Sequence, residues 1–246
     1  MTLRRHLAPA LVAPALAAAI FLGGCAAQNP RGDASSSGAS ASVLTRLDLP
    51  APGSTVDKAS FVARCAGAQQ AIRSYQTVMT TKTVTPQAGT QESTTTFQYD
   101  FADAARPKVR SITSTGTETI YIGSDMWTRS AGAGWTHTTN SASAVVSGKG
   151  MDNYVGQVAG EIASVVYAGD EDVNQVRAHH FVFKPVVAPG SASPSVLAHD
   201  ETGYWVDQDF RPVRVQTSVT TGGITSTTIM DSTQYGASFN IQAPAA

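Results

Sequence analysis

Two adjacent histidines, an acidic triplet and two cysteines are the residues whose chemistry has to be weighed first. His179 and His180 stand side by side in "VRAHHFVFKPVV", a strand-like stretch. Alternation along a strand sends neighbouring rings to opposite faces, which spoils them as joint metal ligands and leaves them as packing and surface groups. Asp170, Glu171 and Asp172 in "GDEDVN" follow a helical pattern and lack the spaced oxygen ligands and pivot glycine of a calcium loop, so they are expected in a solvated turn. His199, Asp200 and Glu201 occupy a loop before a strand, yet no G-x-S-x-G elbow accompanies the many serines. The sequence also has no P-loop, dinucleotide fingerprint, HExxH or cysteine metal pair. The expectation is a protein that is not an enzyme and uses no cofactor and no metal.

Cys25 stands apart, because of what surrounds it. Arg4, Arg5 and His6 form a cationic start, and the apolar run from Leu7 to Leu22 follows, interrupted by Pro9 and Pro14. That order is a signal-peptide layout, and the run falls short of the roughly 20 apolar residues a spanning helix needs. Leu22-Gly23-Gly24-Cys25 resembles the lipobox of bacterial lipoproteins, in which small residues precede a cysteine that is acylated and becomes residue one. Residues 1–24 are therefore expected to be removed, leaving 222 of the 246 residues and a membrane anchor at Cys25. The expected location is the extracytoplasmic face of the cell membrane. Cys65 would then have no disulfide partner within the chain, and on the apolar side of a helix it acts as a small hydrophobe.

Charge narrows the partners. The chain has 17 Lys and Arg against 18 Asp and Glu; loss of Arg4 and Arg5 leaves 15 basic side chains, a net charge of −3. Nothing here favours nucleic acid, and no polybasic cluster adjoins Cys25, so attachment is expected to be hydrophobic. Residues 25–55, rich in Ser, Ala, Gly and Pro, bury too little apolar surface to fold and are expected to form a flexible tether, the alternative being a glycosylated or partner-binding stalk. Residues 56–246 are expected to form one domain.

That domain opens on "STVDKASFVARCAGAQQAIRSY", where Ser54 or Thr55 can cap a helix whose apolar face carries Phe61, Cys65, Ala68 and Ile72. Threonine-rich stretches then follow, among them "YQTVMTTKTV", "ESTTTFQYDFA" and "TETIYIGSDMWTRS", separated by turn residues in the manner of an antiparallel meander. In "MDNYVGQVAGEIASVVYAG", Met151, Tyr154, Val155, Val158, Ile162 and Val165 fall on one helical stripe, with Gly169 as its stop. Strands return with "VRAHHFVFKPVV", "GYWVDQDFRPVRVQTSV" and "ITSTTIMDSTQYG"; Val213, Val215, Thr217 and Val219 alternate with polar residues. The order helix, meander, helix, meander predicts an α+β domain in which two helices cover one large antiparallel sheet of about eight to ten strands.

The tail "DSTQYGASFNIQAPA", the pair "YWVDQDFRPVRVQTSV" with its Asp turn, and the hairpin "YIGSDMWTRSAGAGWTHT" resemble the LolA-like lipoprotein carriers, and among them the actinobacterial LppX and LprG group. The resemblance spans about residues 56 to 244 in element order and implies a strongly curved half-barrel closed by two or more helices over an apolar cavity. It also implies an acylated lipid or lipoglycan as ligand, carried or presented between envelope layers.

Candidate cavity residues are Phe61, Ile72, Val158, Ile162, Phe181, Phe183, Trp127, Trp135, Val213 and Val215. Whether they line an open pocket or a solid core is not written in their spacing. The alternative to a lipid carrier is a closed, ligand-free domain whose threonine-rich outer face docks an envelope protein.

Overall fold

Asp57 decides where the first helix begins. In the computed structural model, which describes residues 49–139, 154–186 and 202–245, the Asp57 carboxylate accepts the backbone N–H of Ser60 at 2.8 Å and caps α1 (Lys58–Ala71). Ser54 and Thr55, expected as the cap, are spent elsewhere. Thr55–Val56 forms β1, paired antiparallel with Val165 and Val166, and Gly53 N–H donates to the Tyr167 carbonyl at 2.7 Å. Leu49 packs against the core as well, so the stretch 49–55, assigned above to the tether, belongs to the folded body. Residues 1–48 lie outside the described residues, and with them Cys25 and the expected signal peptide.

The described strands make one twelve-stranded sheet in which every neighbouring pair is antiparallel. A first meander runs β2 (Ser74–Thr85), β3 (Gly89–Asp100), β4 (Lys108–Thr113), β5 (Glu118–Ile122), β6 (Asp125–Arg129) and β7 (Thr136–Thr139). A second runs β8 (Ile162–Val173), β9 (Val176–Pro185), β10 (Thr202–Val206), β11 (Pro212–Thr221) and β12 (Ile224–Thr233). Pairing of β12 with β2 joins them, and β1 and β7 remain as edges that do not pair with each other, so the sheet is open. The α+β class and the antiparallel meanders therefore stand as the sequence predicts.

The second helix does not. Among the described residues of that stripe, Tyr154–Val158 is helical (α2), and Ile162 and Val165 lie in strand β8. Two irregularities in register, between Ile162 and Ser164 and between Tyr167 and Gly169, break the alternation of β8. Buried Ile162 and Val165 are thereby left three apart, a helical spacing on a strand, while β-branched residues favour the extended form. Gly169 is not a helix stop; it adopts φ +123° at the second irregularity, a conformation other residues rarely take. Met151 and His199–Glu201 lie outside the described residues.

The principal core lies where α1 and α2 face β8 to β11. The Phe61 ring stands 4.6 Å from Phe181, 5.7 Å from Phe183, 6.2 Å from Tyr204 and 6.5 Å from Phe210. Phe210 reaches this group from a tight turn at φ +63°, held because Asp207 accepts the N–H groups of Asp209 and Arg211, each at 2.9 Å. On the opposite face, Trp205 folds back across Gly203 to stack on His180 at 4.0 Å.

A Cβ at Gly203 would stand 2.4 Å from the Trp205 ring. Gly203→Ala is expected to destabilise the protein by about 1–3 kcal/mol, as overpacking does, and to change the near-ultraviolet signal of the Trp205–His180 stack. A urea midpoint and spectrum identical to the parent would show that the ring is not locked there.

Candidate functional site

The ten residues proposed above as cavity walls do not come together at one place. Phe61, Val158, Ile162, Phe181, Phe183 and Val215 belong to a single cluster and are at most 1% exposed. Ring contacts as short as 4.6 Å make this a packed core. Ile72 instead joins Tyr75 and Phe101; Val213 joins Trp205, Ala178 and Val173; Trp127 and Trp135 pack beside Ile120, Ile122 and Ile241. Val213 and Val215 therefore serve different clusters despite their shared alternation, because the β10–β11 register shifts at Trp205/Val206.

Following the register outward from Val215 reveals a different surface. Val215 stands opposite Met230, Met230 opposite Met79, and Met79 opposite Thr95, so these four share the face on which the core is built. Met230 packs at the margin of the principal core and is only half-buried, as are Met79 and Thr95. On the same face, Thr77 stands between Ser232 and Phe97, and Tyr75 stacks on Tyr99 at 4.5 Å with Phe97 beside it. The face thus continues past the reach of α1 and α2 as a mixed band of Met, Phe and Thr.

Threonines along the β2–β12 seam of that face have partners. Thr77 and Ser232 hydroxyls bond at 3.0 Å, and Thr81 and Thr228 at 3.4 Å, each across the β2–β12 seam. In each pair one hydroxyl proton is spent on the cross-strand neighbour, so the seam asks less of a ligand than unpaired hydroxyls would. Met79, Met230 and Phe97 were not among the expected site residues. They sit singly among threonines, without an apolar run, and only pairing across strands distant in sequence sets them beside the core.

Charged groups cluster elsewhere, in pairs. The acidic triplet, expected in a solvated turn, ends β8, and its members alternate between faces. Asp170 accepts from the Tyr167 hydroxyl and His179 Nδ1, while Glu171 meets His180 Nδ1 at 2.8 Å and accepts from the Trp205 indole. His179 and His180 thus do point apart, each toward its own carboxylate. Burial raises the Tyr167 phenol, and the bond to Asp170 adds to this, up to about 12. Among the described residues no three His, Cys, Asp or Glu side chains are placed to hold a metal, and no helix is long and apolar enough to cross a membrane. Burial also pushes the Cys65 thiol far up, which makes it a poor nucleophile.

On the face of β4 to β6 that carries Trp127, Glu118 has a side chain 8% exposed and takes Arg110 Nε at 2.7 Å and an Arg129 terminal nitrogen at 2.6 Å. Burial works to raise its pKa, but the two guanidinium groups outweigh it and hold the carboxyl below its ordinary 4.5. A depressed carboxylate contributes stability that is full above its unfolded pKa and lost as the pH falls through its folded one. Glu118→Gln is therefore expected to lower stability at pH 7, with the difference from the parent closing below about pH 4. A difference of constant size down to pH 2, in denaturant titrations at each pH, would assign the loss to packing instead.

No protein-family model matches the sequence, and no curated protein matches it. Solved structures do match. LprF from Mycobacterium bovis superposes with a TM-score of 0.54 at 12% identity, covering 77% of this chain and 97% of that one. Lipoprotein LppX from Mycobacterium tuberculosis superposes with a TM-score of 0.51 at 12% identity, covering 75% of this chain and 98% of that one. The chain shares the fold of LprF and of LppX, and LppX is one of the two proteins that name the group its sequence resembles.

Proposed function

We propose that this protein is a non-enzymatic carrier, anchored to the extracytoplasmic face of the cell membrane through acylated Cys25. In this proposal it binds an acylated lipid or lipoglycan and passes it between envelope layers. The observation that carries the proposal is the margin of the core. Among the described residues, the packed cluster under α1 and α2 ends at Met230, while the same face runs on through Met79 toward Phe97 as a mixed band of Met, Phe and Thr. An acyl chain laid along that band, with the sheet curving round it as a half-barrel, would extend the core with the ligand's own methylenes. Each buried methylene is worth about 0.8 kcal/mol, so about ten of them supply about 8 kcal/mol, a micromolar affinity before the cost of ordering. The hydroxyl pairs along β2 and β12 ask less that is polar of the chain than unpaired hydroxyls would, which suits hydrocarbon better than a glycan at this position. The similarity to LprF and to lipoprotein LppX supports the scaffold of the proposal.

A fluorescent fatty-acid probe titrated into the mature protein tests it. Uptake is expected to saturate, and Met79→Glu or Met230→Glu is expected to weaken it at least about tenfold by placing a charge against hydrocarbon. Gln76→Glu, on the opposite face of β2, is expected to leave uptake unchanged. Absent uptake by the parent, or equal loss from both faces, would contradict the proposal and favour the protein-docking alternative.

A further inference from the structure

Most guanidinium groups of this fold are matched to carboxylates. Arg110 and Arg129 share Glu118, Arg214 is forked on Asp231, and Arg177 lies near Asp170 and Asp172. Two that are not, among the described residues, open onto the same place. A groove of about 430 Å³ runs between the C-terminal half of α1, the start of β2 and the turn before β11, and its lining includes Arg64, Arg73, Arg211, Asp209, Ile72 and Tyr235. Arg64 and Arg73 have no carboxylate partner, and Arg64 Nε is buried without a hydrogen bond. An orphaned guanidinium N–H is costly, because it has lost water and gained nothing in return.

Two of the three arginines that line the groove are held by rings behind them, and Arg211 by an acid as well. Arg64 lies over Phe210 with its guanidinium carbon 5.2 Å from the ring centre, and Arg211 lies over Tyr235 at 5.1 Å. Asp207 takes Arg211 Nε at 2.7 Å from outside the groove. Within the lining, the one acid is Asp209, 75% exposed and 3.4 Å from Arg211. Three cations therefore face one loosely held carboxylate, beside Ile72 and the Tyr235 ring. Planar forks of this kind suit the paired oxygens of a phosphate, and the apolar flank suits what is esterified to it. The volume fits a headgroup and leaves no room for long acyl chains.

We propose that this groove binds the phosphodiester of an anionic phospholipid headgroup. The site is separate from the band around Met79 and Met230, and either can fail without the other. In this role the groove would set the body against a bilayer surface in one orientation, beyond what a flexible anchor imposes.

The test uses the full chain in non-ionic detergent and follows the arginine Nε–H signals by NMR. Dihexanoyl-phosphatidylglycerol, dihexanoyl-phosphatidylcholine, inorganic phosphate and a short acidic peptide are each titrated. The glycerol lipid is expected to move the Arg64 and Arg211 signals saturably, and to bind at least tenfold more tightly than phosphate, the choline lipid or the peptide. Arg73→Gln and Arg64→Lys, the latter keeping the charge and losing the fork, are each expected to weaken it at least tenfold with the amide spectrum preserved. No shift with the glycerol lipid, equal response to the choline lipid, tighter binding of phosphate or peptide, or unaltered affinity in both variants would overturn the proposal.

Discussion

Among the described residues, a sheet of twelve strands has more inner face than the two helices can cover. At about 4.8 Å between strands the sheet is about 55 Å across, and the fourteen residues of α1 make a rod about 20 Å long. Even lying straight across, such a helix reaches about four strands. The contacts of Phe61 with β9, β10 and the turn before β11 show where that reach is used. Everything else about the molecule follows from how the remaining strands manage without it.

They manage differently on the two faces. On one, the chain past β12 returns as a strap, tied by Ser74 Oγ donating to the Ala237 carbonyl at 2.6 Å, and it buries Ile241 with Phe239 against Ile120 and Ile122. Ion pairs such as the half-buried Arg214–Asp231 occupy other stretches of the same face without demanding a cover. On the other, Tyr75 is held between Tyr99 and Tyr235, and hydroxyls close on one another across the β2–β12 seam. Paired hydroxyls let a threonine-rich surface be half dry. The abundance of threonine thereby gains a physical account beyond β propensity: it makes a face that tolerates water and accepts hydrocarbon.

How far the sequence alone could lead is clearest at particular residues. The Phe61–Cys65 spacing announced α1 because one helix face packs on one side, and the opposite orientation of His179 and His180 followed from strand geometry. β8 was misread because two register irregularities converted alternation into a spacing that mimics a helix. The acidic triplet looked solvated because its partners, His179, His180 and Trp205, come from neighbouring strands. The Met79–Met230 band was hidden for the same reason: pairs separated by about 150 residues leave no local trace. Size and hydrophobicity identified residues that are buried, and burial alone does not tell a core wall from a ligand wall.

The central claim is that hydrocarbon from outside the chain completes what α1 and α2 leave open. Native mass spectrometry of the mature protein, released gently from a lipid-containing envelope and followed by organic extraction, addresses it directly. The account predicts a species heavier than the acylated chain by one lipid, which extraction releases as an acylated molecule. A protein of bare acylated mass that also takes up no offered lipid would contradict it.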